Sequence, residues 1–137
     1  MESYGPSFER AGTVAELAAL ARQIYTEDLE NGYVTVLGEM IAGAISSREL
    51  AAGVLVRIQP WIDMVERKLR QLLAGSLLES IVPPREAAFA IISLYVGVDL
   101  LGHLAGDHSH ADALLDLAAR HAPLAAVLLP TQREDRR

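Results

Sequence analysis

Three observations predict an all-α protein, an antiparallel bundle of five or six helices. Apolar residues recur at spacings of three or four through most of 13–129. No stretch of useful length alternates apolar and polar residues as a half-buried strand would. Helix-start signals precede the periodic runs at Thr13, Ser46-Ser47, Pro83-Pro84 and Ser109. At 137 residues the chain suits one compact domain, and short links favour antiparallel neighbours.

Residues 1–12 read as an irregular, flexible arm, with Gly5-Pro6 and Gly12 as breakers. Thr13 and Glu16 then have the capping-box spacing, and Val14, Leu17, Ala21 and Ile24 mark a helix over about 13–29. After Asn31-Gly32, a second helix spans about 32–45, with Val34, Leu37, Ile41 and Ile45 on one face. Gly38 and Gly43 each lower its intrinsic stability by about 1 kcal/mol relative to alanine, or permit close packing.

Ser46-Ser47-Arg48-Glu49 starts a longer helix that reaches about Leu73. Pro60 lies inside it and predicts a kink or short break near Ile58 to Trp61. Leu77 to Val82 form an apolar connection expected to tuck inward. The stretch from Pro84 to Leu104 is the most apolar helix, and it needs neighbours on more than one side. Arg85, Glu86, Asp99 and His103 argue against a membrane span. Ser109 and Asp112 open a last helix over about 109–129, bent or ended at Pro123, and 130–137 form a tail.

Composition narrows the function. Hydrophobic residues make up 51% of the chain, which argues against global disorder. There is no cysteine, so thiolate chemistry and disulfides are excluded, and a reducing, cytoplasmic setting is expected. With 12 basic and 18 acidic residues the net charge is −6, unsuited to attracting a phosphate backbone. No glycine-rich phosphate loop follows a strand, and no serine-hydrolase elbow is present. No cofactor and no metal are expected.

Several fragments together resemble the C-terminal part of TetR-family transcriptional regulators: Tyr33 to Ala44, Glu49-Leu50, Pro60-Trp61-Ile62, the Pro83-Pro84 helix start, Leu94 to Leu101, and the alanine-leucine-rich last helix. The likeness covers roughly 14–129. It implies an effector-binding and dimerisation domain, with the last two long helices pairing across a two-fold axis and a small organic ligand held among the preceding helices. On that basis the expected homodimer interface involves Ile92, Tyr95, Val96, Asp99, His103, Leu114 and Leu117. The residues before 13 are too few for the family's three-helix DNA-binding module, so no direct nucleic-acid contact is expected from this chain.

The candidate ligand residues are Tyr33, Glu39, Met40, Trp61, Tyr95, Asp99 and His103, each combining an apolar setting with a polar or aromatic group suited to a small apolar or aromatic ligand. Each also has a plain structural role open to it. Trp61 can fill the core, Glu39 can be a solvated carboxylate, and Asp99 with His103, four residues apart, can be a structural hydrogen-bonded pair. Asp63 and Glu66 are expected to be solvated. Two other functions stay open: an enzyme using Glu39 or the Asp99–His103 pair as acid or base, and a dimerisation partner of a longer regulator.

Overall fold

The computed structural model describes residues 4–129. It contains six α-helices and, among the described residues, no strand. They are α1 (Gly5–Arg10), α2 (Val14–Asn31), α3 (Tyr33–Ser46), α4 (Arg48–Leu73), α5 (Pro84–Ala105) and α6 (Ser109–Leu128). The tail over 130–137 lies outside the described residues.

Local chemistry sets most boundaries. Thr13 Oγ1 accepts from the Glu16 amide while Glu16 accepts from the Thr13 amide, closing the capping box of α2. Gly32, at φ +69°, ends α2 in the left-handed region and lets α3 begin one residue later. Ser47 caps α4 by accepting from the Leu50 amide. The start of α6 differs from expectation: Asp107, not Ser109, supplies the side-chain acceptor, taking the Ser109 amide at 2.9 Å.

Three further expectations are corrected. The segment before Gly12 is not irregular; it forms α1 and docks. Lys68 of α4 is buried and its Nζ donates to the carbonyl oxygens of Glu9 and Ala11 at 2.8 and 2.9 Å. The α1 segment also sets Tyr4 against Trp61, with ring centroids 6.4 Å apart. The sixth helix is thus α1 rather than half of a split α4. Of the kink or short break expected at Pro60, the break does not occur: α4 continues from Arg48 to Leu73. The carbonyl deprived of its partner belongs to Val56, on an exposed stretch where water can hydrogen-bond to it. Finally, the 74–82 connection does not bury its apolar residues, since Leu77 and Ile81 are exposed. Successive turns, closed by Ser76, Glu79 and Ile81 amides on Leu73, Ser76 and Leu78 carbonyls, dictate those directions.

The core joins α4 to α5. Ile62 and Val65 of α4 bury Ala88 of α5 completely, with Phe8, Ile58, Leu69 and Ile92 packed around them. Arg85 of α5 adds ion pairs to Asp63 at 2.5 Å and Glu66 at 2.8 Å, so these carboxylates are not simply solvated. On the other side Arg22 of α2 reaches Asp116 and Asp112 of α6 at 2.5 and 3.6 Å. Such solvent-exposed pairs are screened by water and salt and add little to stability.

Removing the Lys68 ammonium leaves two carbonyls without their donor. Lys68→Met is expected to lower stability by about 1–3 kcal/mol and to free α1, so that trypsin cuts after Arg10 well before the remainder of the chain. Urea titration and timed proteolysis check this; an unchanged cleavage order would show that α1 is held by other contacts.

Candidate ligand site

A groove of about 200 Å³ opens between α3 and α4. Tyr33, Val36, Leu37 and Met40 form the α3 wall, and Val54, Arg57 and Ile58 form the α4 wall. The α3 residues recur three or four apart because one face of a helix returns at that spacing. Gly38 brings α3 close to α5, where an added Cβ would meet Leu100 Cδ1 at 3.2 Å. Arg57 projects toward α3, with Nη1 4.0 Å from the Met40 sulfur.

Of the seven proposed ligand residues, Tyr33 and Met40 line this groove. Glu39 is exposed on α3 and absent from the lining. Trp61 is half-buried against Tyr4 and likewise lies away from it. Tyr95 and Asp99 belong to a different, buried cluster, and His103 is exposed on α5.

That second cluster is polar and enclosed by α2, α5 and the turn before α6. Tyr95 donates to Asp28 Oδ2 at 2.5 Å. The Tyr25 hydroxyl lies 3.0 Å from His108 Nδ1, and the Tyr25 ring stands edge-on to Tyr95 with centroids 6.5 Å apart. Gly102 admits this arrangement: a Cβ there would collide with His108 Nδ1 at 2.9 Å. Asp99 is only 2% exposed, and its Oδ1 has no hydrogen-bond partner. Asp99 Oδ1 accepts no hydrogen bond from His103, four residues on. His108 and His110 sit at the start of α6. Among the described residues no three His, Cys, Asp or Glu side chains converge on a metal-binding arrangement.

Electrostatics follow from burial. Loss of water, then the neighbouring Asp28 charge, pushes Asp99 up to about 6, with His108 and His103 opposing. Burial also raises Asp28, partly offset by the Tyr95 hydrogen bond. Tyr95 is raised by burial and by its bond to Asp28, and Tyr25 by burial and the Asp99 charge, so both phenols keep their protons at neutral pH. Sequence reasoning missed Arg57, Tyr25, Asp28 and His108 as site components. Only Arg57 had a signal, being bracketed by Val54 and Ile58 on one α4 face.

The interface residues also divide. Ile92, Tyr95 and Asp99 turn inward, Ile92 against the α4 core and the other two into the polar cluster. Val96 is half-buried, while His103, Leu114 and Leu117 are exposed. The bare side of α5 instead carries Leu94, Gly97, Leu101 and Leu104; the leucines are 59%, 66% and 73% exposed. On α6 the exposed stripe is Leu114, Leu117, Leu124 and Leu128. By length and composition α5 could cross a membrane, with mean hydropathy 1.7 over its best window.

No family model, curated protein or solved structure matches this chain.

Asp99 binds its proton more tightly when folded than when unfolded. Its contribution is therefore fully present below about pH 4 and lost as pH rises through about 6. Asp99→Asn, which cannot ionise, is expected to be more stable than the parent by about 1–3 kcal/mol at pH 7.5 and indistinguishable from it at pH 4. Thermal unfolding of both proteins across that range decides; a constant difference at every pH would mean that ionisation of Asp99 is not the cause.

Proposed function

We propose that this chain is a homodimerising, small-molecule-binding helical domain, serving as the sensor part of a TetR-like transcriptional regulator. The observation that carries the reading is the uncovered apolar surface of α5 and α6. Leu94, Leu101 and Leu104 on one helix and Leu114, Leu117, Leu124 and Leu128 on the next are all exposed. The α5 stripe contains no formal charge, in a chain whose net charge is −6. Exposed leucines recurring at helical spacing on two helices support an interaction surface rather than ordinary scatter. A two-fold arrangement would cover each copy's stripes with the same stripes of the other, the isologous solution that closes on itself. Gly97, with nothing near its absent Cβ in the single chain, would let the paired helices approach closely.

The groove between α3 and α4 supplies the ligand site. Its α4 wall belongs to the helix that packs through Ile62 and Val65 on Ala88 of α5. A ligand that favours one α3–α4 spacing would thereby favour one setting of the interface helix. Such coupling works only if the two settings bind the ligand with different affinity.

Leu94→Glu combined with Leu101→Glu is expected to convert a dimer into a monomer at tens of micromolar protein, halving the mass seen by light scattering during gel filtration. Helical content should persist by circular dichroism, because both positions are solvent-facing in the single chain. A parent protein that is already a monomer, or that is soluble only with detergent or lipid, would overturn the dimer and point to another use of the α5 face.

A further inference from the structure

We infer that the α3–α4 groove selects a small amphipathic anion, a carboxylate on an apolar body, with Arg57 as the residue that reads the charge. This rests on the ligand-site reading above and adds the chemical class. Arg57 is the only formally charged residue lining the groove. Among the described residues it makes no ion pair, which it shares with Arg10, Arg48, Arg67 and Arg120; what sets it apart is its place in the groove lining, with donors not committed to a carboxylate as those of Arg22, Arg70 and Arg85 are. Its guanidinium reaches across from α4 toward the Met40 sulfur of α3, a weak acceptor that leaves its donors available.

The surroundings sharpen the selection. Val36, Leu37, Val54 and Ile58 give the groove apolar walls, which suit a hydrocarbon or ring but offer a charged headgroup nothing. A planar guanidinium at such a wall presents paired N–H donors matched to the two oxygens of a carboxylate. A cationic ligand would meet repulsion from Arg57 and find no acid in the lining. The volume, about 200 Å³, is below the roughly 300–1,000 Å³ of drug-sized pockets, so the occupant is short. Tyr33 adds an aromatic ring to the lining.

The test uses the full chain with [13C-methyl]methionine and three probes of matched length: octanoate, octanol and octylammonium. Met40 lines the groove and Met64 is buried in the core, so one methyl reports binding and the other reports general disturbance. Octanoate should shift the Met40 methyl at about tenfold lower concentration than octanol, leave Met64 in place, and lose part of that advantage as salt is raised. Octylammonium should bind more weakly than octanol. Arg57→Gln should make octanoate and octanol equivalent, and Arg57→Lys should restore part of the preference. Equal binding of all three probes, or a preference untouched by Arg57→Gln, overturns the charge selection while leaving an apolar ligand groove standing. No Met40 response to any probe at millimolar concentration removes both the selection and the ligand site.

Discussion

The seam between α4 and α5 is the constraint from which the other features follow. Ala88 is completely buried against Ile62 and Val65, and a larger side chain there would force the two helices apart. Once α5 lies on that seam, its rotation is set. Ile92, Tyr95 and Asp99 must turn toward the rest of the chain, and Leu94, Gly97, Leu101 and Leu104 must turn away. The same seam places α4 so that its Val54–Ile58 turn faces α3 and leaves the groove between them.

Burial of Asp99 is the cost that this arrangement carries. A carboxylate with one unpartnered oxygen beside a second acid disfavours the folded state at neutral pH. The surroundings limit that cost without removing it. Tyr95 ties up Asp28, Tyr25 holds His108, and Gly102 lets the turn before α6 settle against α5. Three elements are joined in one polar cluster, which offers specificity of docking where apolar packing alone would tolerate sliding. The ion pairs of Arg22 with α6 and of Arg85 with α4 act in the same sense at the surface.

The proposed activities occupy different faces of a small molecule. The groove lies between α3 and α4, and the bare leucine stripes lie on α5 and α6. If both proposals hold, the α4–α5 seam would be the mechanical link, because α4 is a wall of the groove and packs on α5. A rigid seam transmits a change in α3–α4 spacing better than a plastic one would.

What the sequence determined by itself is the set of longer helices from Thr13 onward. Periodicity and capping residues act within a few positions, so Thr13–Glu16, Gly32, Ser47 and Pro84 could be read directly as boundaries. Tyr33 and Met40 share one stripe of α3 by the same periodicity, and that stripe lines the groove. Tertiary structure alone decided which polar groups meet. Asp28 and Tyr95 are separated by 67 residues, Tyr25 and His108 by 83, and Lys68 and Glu9 by 59. No spacing rule reaches across such intervals. Those contacts depend on how helices rotate about their axes when apolar faces pack, and that rotation also buried Asp99 among α2 and the turn before α6 and left Trp61 beside Tyr4 instead of in the groove.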